Sequence, residues 1–442
     1  MSQKIVIIGG VAAGTSAAAK ARRTNPDCEI TLYTDDQDIS YAGCGLPYFV
    51  GGGIAAKENL IARTAAEFQQ EHITVNMMTR VEEIKPESCK LVVRDFVKSY
   101  EVGYDRLIIA TGARPLKPNL PGVDLNGVFT LRSLQDSLRM KEYLAQKHPK
   151  TIAIVGGGYI GLEMAENFAQ LGCQICIIEK SPHIIPNMDE DMAQILTEYL
   201  ESKGIAIHTG EAVEGLIGED CVKGVRTDRG ELAADCVLLA IGVIPNSELA
   251  SSIGLQLGTK NAIWVNSQME TSVEHIYAAG DCATTMHLIS GKEVYIPLGT
   301  TANKQGKVAG ANAAGGHAAF KGVLGTGIAR VMEMEVSRTG LSENECKALE
   351  LNFVSKRIKS HTAAGYAPES KEMYLKLIAD QNSGRLLGGQ IVGYAGSAKR
   401  IDTLAAAIHL GATMEQLTDM DLAYAPPFSP VWDPVLIALN QF

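Results

Sequence analysis

The sequence contains no long run of apolar residues and no long run of lysine and arginine. A membrane-spanning helix needs about 20 consecutive apolar residues, so we expect no membrane anchor, and the net charge of −10 argues against nucleic acid as the main partner. The chain runs from Met1 into a strand without a signal-peptide pattern. Its nine cysteines are scattered, which is typical of reduced thiols. We therefore expect a cytoplasmic protein.

Glycine and alanine, by contrast, are abundant. A length of 442 residues indicates two or three domains. The apolar strand Lys4–Ile8 leads into a turn with Gly9 and Gly14 and then into an alanine-rich helix, an order that aims backbone N–H groups at a pyrophosphate and so predicts a dinucleotide site. Val11 replaces the middle glycine of the usual GxGxxG pattern, which weakens the motif. After the next strand, Asp35, or the residue one place from it, is our candidate for accepting a ribose hydroxyl.

The same pattern returns later in a fuller form. The strand Thr151–Val155 runs into a complete GxGxxG motif, whose glycines are Gly156, Gly158 and Gly161. Two such motifs in one chain predict two dinucleotides. The following strand ends in Glu179, whose carboxylate can accept both hydroxyls of an adenosine ribose and would repel a 2′-phosphate. The sequence therefore favours NADH over NADPH, with NADPH still possible.

One cysteine lies just beyond the first of these units. Cys44 stands in a stretch, residues 39–52, that is rich in glycine, and there its thiol could reach the reactive ring of a bound cofactor. A thiolate forms adducts with an oxidised flavin, and a reduced flavin returns electrons to an oxidised sulfur. A buried structural cysteine is the alternative. The two nucleotide motifs favour the redox role.

Further motifs give the chain a resemblance to a known family. Residues 107–112 and 236–242 each form a strand that ends in a small-residue turn, and a third strand delivers Asp281 after a glycine. With these motifs the chain resembles the flavin-dependent pyridine nucleotide-disulfide oxidoreductases over nearly its whole length. The resemblance implies that Asp281 binds the ribityl chain of FAD, and that Tyr159 covers the flavin until nicotinamide displaces it; a space-filling aromatic is the alternative for Tyr159. Further cofactor contacts are expected at Ala110, Gly112, Glu163 and Gly242.

The resemblance also implies a fold and a domain organisation. The expected fold is α/β, with two Rossmann-like dinucleotide-binding domains and an α+β C-terminal dimerisation domain. A discontinuous FAD domain would take residues 1–115 and 246–320, an inserted NAD(H) domain residues 116–245, and the dimerisation domain residues 321–442. A homodimer with FAD and NADH as cofactors is expected.

A second redox cysteine is missing. Family members of the glutathione reductase type carry CxxxxC, whereas here Phe49 stands five residues after Cys44, so a two-cysteine mechanism is excluded. The single-cysteine members include NADH peroxidase, NADH oxidase and coenzyme A disulfide reductase. The first two usually carry a histidine in the first glycine loop, which has none here. Residues 40–48 instead resemble the coenzyme A disulfide reductase form, although Gly43 stands where that form often has asparagine.

For such an enzyme the resemblance implies residues that serve the substrate. Tyr424 and Tyr366 would approach the cysteine of the partner subunit, where a phenol can donate to a departing thiolate; interface packing is the alternative. Lys20 and Arg23, at the end of the first helix, and Ser40 would bind coenzyme A. A solvated helix end is the alternative for the two cations.

The expected reaction follows from the single thiol. A hydride passes from NAD(P)H through FAD to a mixed disulfide on Cys44, and coenzyme A disulfide is reduced to coenzyme A. Reduction of polysulfide or persulfide by the same thiol is the alternative, followed by reduction of oxygen as in an NADH oxidase. Two further alternatives belong to different function classes. One is redox sensing without turnover, and the other is electron transfer to a ferredoxin or rubredoxin.

Overall fold

The computed structural model describes residues 2–442. Its first part alternates strands and helices, because short apolar runs are followed by glycine turns and by segments of high helix propensity. Cys44 lies in a short 3₁₀ turn, Gly43–Gly45. The elements of this part are β1 (Lys4–Ile8), α1 (Ala12–Thr24), β2 (Glu29–Tyr33), α2 (Leu46–Val50), α3 (Ala65–Gln70), β3 (Ile73–Asn76), β4 (Arg80–Lys85), β5 (Lys90–Arg94), β6 (Ser99–Gly103), β7 (Arg106–Ile109) and β8 (Ala113–Pro115).

The second part repeats the arrangement of strand, glycine turn and helix. Ser133 and Asp136 form a capping box that starts its first helix. Its elements are β9 (Val128–Phe129), α4 (Leu134–Lys147), β10 (Thr151–Val155), α5 (Tyr159–Gln170), β11 (Gln174–Glu179), α6 (Glu190–Ser202), β12 (Ala206–Thr209), β13 (Val213–Gly218), β14 (Val222–Thr227), β15 (Gly230–Ala233), β16 (Cys236–Leu239) and β17 (Val243–Pro245).

The chain then returns to the first part. The elements that follow are α7 (Glu248–Ser252), β18 (Ile276–Ala278), β19 (Thr285–Met286), β20 (Glu293–Val294) and α8 (Gly299–Ala313). Helix α8 packs on α1 with backbone-to-backbone contact. A Cβ added at Gly306 would lie 2.3 Å from the carbonyl oxygen of Ala13, and one added at Gly310 would lie 2.1 Å from that of Ala17. These glycines allow the two helices to approach more closely than side chains would permit.

The C-terminal part is an antiparallel sheet with helices packed on it. The sheet has the strand order β21-β22-β25-β24-β23, as expected of an α+β module. Its elements are β21 (Gly327–Val331), β22 (Met334–Gly340), α9 (Glu343–Ala348), β23 (Phe353–His361), β24 (Glu372–Asp380), β25 (Leu386–Tyr394), α10 (Ile401–His409), α11 (Met414–Thr418) and α12 (Pro434–Leu439).

Two parallel five-stranded sheets form the framework of the first two parts. Their strand orders are β18-β7-β1-β2-β3 and β12-β11-β10-β16-β9. In each sheet the order reverses beside the first strand of the glycine motif, β1 or β10. Open α/β sheets bind ligands in the crevice at the carboxyl ends of such strands. The predicted class, two Rossmann-like sheets and an α+β C-terminal domain, is confirmed.

The strands that lead to the paired crossings are shorter than predicted. Strand β7 ends at Ile109 and β16 at Leu239, because the chain bends into the glycine turns that follow. The short strands β8 and β17 then pair antiparallel and connect the two nucleotide units. The expected boundaries after residues 115 and 245 fall at this pair, and the division into domains stays a prediction.

The hydrophobic core links the parts as well as filling them. One cluster holds the first sheet with α1 and α8. A second cluster combines Leu46 and Phe49 of α2 with α4, α5 and α6 and with Val331 and Val336 of the C-terminal sheet. The helix that follows Cys44 is therefore packed against the second nucleotide unit. Within residues 2–442, every helix is too short or too polar to cross a bilayer.

Candidate active site

The first glycine turn lies in the crevice between β1 and β7. A Cβ added at Gly9, whose φ is +113°, would lie 2.1 Å from the carbonyl oxygen of Ala110, and one added at Gly14 would lie 1.9 Å from that of Gly9. Only glycine fits where backbones approach this closely. Helix α1 starts after Val11, and within the described chain its first turn has neither a side-chain cap nor an acidic residue. Its free N–H groups suit a diphosphate.

The second glycine turn repeats this geometry between β10 and β16. A Cβ added at Gly156, φ +108°, would lie 2.4 Å from the carbonyl oxygen of Ala240, and one added at Gly161 would lie 2.1 Å from that of Gly156. A Cβ at Gly158 would meet no atom of the described residues within 4 Å. The fold itself therefore tolerates a side chain at this position, which Val11 occupies in the first turn.

Glu179 is the last residue of β11, and its side chain is buried beside the second turn. One carboxylate oxygen accepts from the N–H of Gly157 and the other from the N–H of Ser181, both at 2.7 Å. A carboxylate has further acceptor positions for hydroxyl donors. A nucleotide on this turn would therefore meet a fixed negative charge.

In the first unit, the predicted ribose acid lies one residue from the matching position. The strand registers align Thr34, and not Asp35, with Glu179. The side chain of Asp35 is exposed. The geometry gives the ribose role of Asp35 no support, and that role stays a prediction. The sequence interpretation chose Asp35 because it looked for an acidic side chain after the strand, and Thr34 does not carry one.

Asp281 follows β18 at the carboxyl edge of the first sheet. Its Oδ2 accepts a hydrogen bond of 2.8 Å from Arg132. Burial raises the pKa of Asp281, and Arg132 opposes this rise. The Arg132 guanidinium also lies 3.6 Å from a Cβ placed at Gly112 and 4.0 Å from one placed at Gly43. Arg132 thus connects the acid, the end of β7 and the turn that carries Cys44.

The sequence interpretation missed Arg132. The capping pattern of Ser133 and Asp136 places this arginine directly before a helix, which is predictable. Its partner Asp281 lies 149 residues along the chain. Because no local pattern joins the two residues, their pairing emerges only from the fold.

Cys44 is an exposed residue in the turn Gly43–Gly45, which leads into α2. Partial desolvation by the surrounding protein, followed by the negative charge of Glu163, raises the pKa of the thiol, whereas Arg132 lowers it. The thiolate is the nucleophilic form. Arg132 therefore favours a reactive Cys44, and Glu163 opposes it when ionised.

Glu163 and Tyr159 lie on α5 near the C-terminal sheet. Burial, with a smaller effect of Glu166, raises the pKa of Glu163 to about 7. Glu166 itself pairs with Arg330 of β21 at 3.3 Å. The Tyr159 hydroxyl lies 3.1 Å from a Cβ placed at Gly327, and burial raises its pKa. Glu163 can therefore gain or lose a proton near neutral pH.

Gly112 and Gly242 occupy matching turns after β7 and β16. Both have positive φ, +66° and +109°. The carbonyl of Gly112 accepts from the N–H of Asn246, and that of Gly242 accepts from the N–H of Leu116, both at 2.9 Å. These turns hold the two connections between the nucleotide units.

The residues predicted to bind the substrate are divided between α1 and the segment before Cys44. Lys20 and Arg23 lie three residues apart on α1 and therefore share a face of that helix. Arg23 is exposed and Lys20 is half-buried. Ser40, with φ +49°, lies in the segment that leads to Cys44.

The two predicted tyrosines are neighbours on the surface of the C-terminal part. Tyr366 is 76% exposed and Tyr424 is 46% exposed. Hydrogen bonding with Tyr366 raises the pKa of Tyr424. Across residues 2–442, neither hydroxyl forms a hydrogen bond to the turn of Cys44.

Comparison with protein families identifies the chain. Residues 3–306 match the model of the pyridine nucleotide-disulphide oxidoreductases, and residues 328–434 match the model of their dimerisation domain. The chain belongs to the pyridine nucleotide-disulphide oxidoreductase family. A pyridine nucleotide-disulphide oxidoreductase is an FAD-dependent enzyme that uses a nicotinamide dinucleotide, so the predicted family and enzyme class are confirmed.

Relatives in this family align along the whole chain. A Pyrococcus horikoshii protein named NAD(P)H coenzyme A polysulfide/persulfide reductase is 39% identical, over 99% of this chain and 98% of its own. A coenzyme A disulfide reductase of Staphylococcus haemolyticus is 31% identical, over 97% and 96%. The structure of an NAD-dependent persulfide reductase from A. fulgidus has a TM-score of 0.97 and 39% identity, and the match covers 99% of this chain and 82% of that one.

The residues of the first unit fit the flavin that membership of the family implies. The turn between Gly9 and Gly14 leaves N–H groups of α1 for the diphosphate, and the largely buried carboxylate of Asp281 offers an acceptor for hydroxyl groups. Cys44 lies in the same region, because Arg132 reaches both its turn and Asp281. The first unit therefore holds groups that suit a flavin beside a thiol.

Proposed function

We propose that this protein reduces coenzyme A disulfide with electrons from NADH, through FAD and a mixed disulfide on Cys44. The single observation that carries the proposal is an exposed thiol beside Arg132, in the crevice region of the first of two nucleotide units. A relative that bears the name coenzyme A disulfide reductase supports this substrate. Polysulfide or persulfide is the second candidate, because another relative is named for these acceptors.

Cys44 carries out the exchange chemistry. Its thiolate attacks one sulfur of the disulfide, so that a Cys44–substrate disulfide forms and one substrate thiolate leaves. FAD, when bound, supplies the two electrons that NADH delivers as a hydride. Reduction of the mixed disulfide regenerates the Cys44 thiolate and releases the second substrate thiol. In total, NADH, one proton and one disulfide give NAD⁺ and two thiols.

The other residues serve charge and proton balance. Arg132 stabilises the thiolate of Cys44 both before it attacks the disulfide and after reduction of the mixed disulfide. Glu163, with its pKa raised to about 7, can hold a proton near that thiol during turnover. Tyr424 and Tyr366 of the partner subunit would donate to the departing substrate thiolate, which is why we propose a homodimer with shared sites.

The choice of nicotinamide cofactor is assigned to Glu179. A 2′-phosphate beside this buried carboxylate would meet electrostatic repulsion in a region of low dielectric constant. Ribose hydroxyls would instead donate to the free acceptor positions of the carboxylate. We therefore propose NADH as the preferred electron donor.

Substrate binding is assigned to the cations of α1 and to Ser40. Coenzyme A carries several phosphate groups, and Lys20 and Arg23 place two positive charges on one helix face. We also propose that the protein is located in the cytoplasm, where reducing conditions keep thiols free. All nine cysteines of the sequence are free thiols in this structure.

Anaerobic NADH oxidation tests the proposal. The purified holoenzyme is given coenzyme A disulfide or polysulfide, beside the variants Cys44→Ser and Cys89→Ser. Cys89 is a second exposed thiol, on the turn between β4 and β5, and serves as the matched control. We expect turnover of coenzyme A disulfide that Cys44→Ser abolishes and Cys89→Ser leaves unchanged.

The outcome also separates the two candidate substrates. Turnover of polysulfide alone would replace coenzyme A disulfide by the second candidate. Turnover that survives in Cys44→Ser would remove the thiol mechanism for both. Aerobic oxidation with neither sulfur substrate would indicate an NADH oxidase.

A further inference from the structure

A buried cluster of charges lies between the second nucleotide unit and the C-terminal sheet. The Lys376 side chain, on β24, is 5% exposed, and its Nζ lies 2.7 Å from Glu343, 2.8 Å from Asp191 and 3.2 Å from Asp189. Burial lowers the pKa of Lys376, but hydrogen bonds to Asp191 and Glu343 outweigh this effect, so the pKa is raised. The lysine is therefore a buried cation among carboxylates, and the reaction proposed above does not use it.

Two more strands of the same sheet, β22 and β25, bind the backbone of Asn187 and Asp189, next to this cluster. Arg338, on β22, is buried and donates to the carbonyl oxygen of Asn187. Gln390, on β25, binds Asp189 twice: its Oε1 accepts from the Asp189 N–H at 2.9 Å, and its Nε2 donates to the carboxylate at 2.7 Å. Glu343 adds a further contact, because its N–H donates to Asp189 at 2.9 Å.

These contacts hold the end of one segment, residues 181–189, which starts two positions after Glu179. The segment covers the second glycine turn. The N–H of Ile185 donates to the carbonyl of Gly157 at 2.8 Å, and a Cβ placed at Gly157 would lie 2.8 Å from Ile184. The N–H of Gly157 in turn donates to Glu179. A continuous set of contacts therefore joins the charge cluster to the proposed ribose acid.

We propose that Lys376 and Gln390 are positioning residues for NADH. The C-terminal sheet holds residues 181–189, and through them Gly157 and Glu179, in the arrangement that receives the adenosine diphosphate part of the nucleotide. The inference rests on the proposed function, since it takes the second turn as the NADH site. It adds a dependence of nucleotide affinity on a part of the chain that lies outside that site.

The physical reason is the difficulty of leaving buried polar groups without partners. Without Lys376, the carboxylates of Asp189 and Glu343 lose their buried cation. Without Gln390, the N–H of Asp189 loses its acceptor. In both variants the polar groups of residues 181–189 that have lost a partner are stabilised by moving toward water. That movement draws Gly157 and Glu179 out of position.

Binding of ADP-ribose to the FAD-loaded protein tests the proposal without any redox step. We expect Lys376→Met and Gln390→Leu each to raise the Kd, measured by calorimetry, about tenfold, which corresponds to about 1.4 kcal/mol. The KM for NADH should rise in parallel, while the KM for the disulfide and kcat at saturating NADH stay within about twofold. Ser337→Ala is the matched control, because it removes a buried hydrogen bond from β22 of the same sheet to the carbonyl of Ala398, outside the charge cluster.

Each outcome has a defined meaning. A lower melting temperature with an unchanged ADP-ribose Kd would show a purely structural cluster and overturn the proposal. If Lys376→Met does not fold, Gln390→Leu decides alone, because it leaves no unpaired charge. Glu179→Ala separates the two levels of inference: if it does not weaken ADP-ribose binding, the second turn is not the NADH site, and the proposed function fails first.

Discussion

Partial desolvation raises the pKa of the Cys44 thiol most, and two nearby charges of opposite sign then adjust how much of its sulfur is thiolate at neutral pH. Arg132 lowers the pKa of the thiol, and Glu163 raises it. Glu163 titrates in the same range, since its own pKa is raised to about 7. The reactivity of Cys44 is therefore expected to respond to pH through two groups rather than one.

Replacing these two charges should shift the thiol in opposite directions. Arg132→Met removes the positive charge, so the pKa of Cys44 rises, the thiolate fraction at pH 7 falls, and the rate of disulfide reduction drops by roughly tenfold. Glu163→Gln removes the opposing negative charge, so the pKa of Cys44 falls. Thiolate absorbance near 240 nm, titrated against pH and corrected with Cys44→Ser, measures both shifts.

The full shift caused by Glu163→Gln should appear in this titration, because the Glu163 carboxyl, with its pKa raised to about 7, is charged before the thiol, with its own raised pKa, loses its proton. The exposed carboxylate of Glu198, on α6, provides a matched control as Glu198→Gln. Shifts of the same sign in the Arg132 and Glu163 variants would contradict the electrostatic account.

At the scale of elements, the packing of α8 against α1 holds the helix that follows the first glycine turn. Gly306 and Gly310 lie one helical turn apart on α8 and meet backbone carbonyls of α1. The N–H of Gly280, just before Asp281, donates to Gln305 of the same helix at 2.9 Å. Helix α8 therefore holds both the diphosphate end and the ribityl end of the proposed FAD site.

A methyl group at Gly310 should weaken FAD retention. In Gly310→Ala the new Cβ would lie 2.1 Å from the carbonyl oxygen of Ala17, so α1 must move, at a cost of about 1–3 kcal/mol. We expect a lower melting temperature and less flavin absorbance at 450 nm per protein after desalting. Lys307→Ala, at an exposed position of the same helix, should keep the wild-type flavin content. Full flavin retention in Gly310→Ala would refute this role of the contact.

How far the sequence determined these elements depended on whether a signal was local. The two glycine turns and Glu179 could be singled out because each belongs to a strand–turn–helix pattern with fixed spacing, and Cys44 because it stands in a glycine-rich stretch beyond the first pattern. The register that aligns Thr34 rather than Asp35 with Glu179 is not local, because it depends on how β2 pairs with β1. No spacing rule could have shown it.

The same limit applies to contacts between distant segments. Arg132 reaches Asp281 across 149 residues, and Lys376 reaches Asp189 and Asp191 from a different part of the chain. Asp281 stands in a motif, but Arg132, Lys376, Asp189 and Asp191 look like ordinary charged positions in the sequence. Only the packing of three parts around shared interfaces gives them partners, so these residues could not be predicted.

At the scale of the whole molecule, the exposed surface of the C-terminal part points to a second subunit. Tyr366 and Tyr424 lie together there, and the apolar side chains of Phe428, Val431 and Trp432 are 59–74% exposed nearby in the sequence. Large exposed apolar patches mark interaction sites. The match of residues 328–434 to a dimerisation domain supports a second copy of the chain as the partner.

A mixed dimer tests whether Tyr424 acts on the cysteine of the other subunit. Chains with Cys44→Ser and chains with Tyr424→Ala carry different tags, are produced together and are purified through both tags. If the sites are shared, one site of the mixed dimer receives both substitutions and the other receives neither, so its activity should be about half that of the wild type per dimer. Both homodimers should be far less active. If Tyr424 serves the cysteine of its own chain, every site in the mixed dimer carries one substitution, and its activity should not exceed the mean of the two homodimers. Restoration to about half would establish that neither subunit forms a complete active site alone.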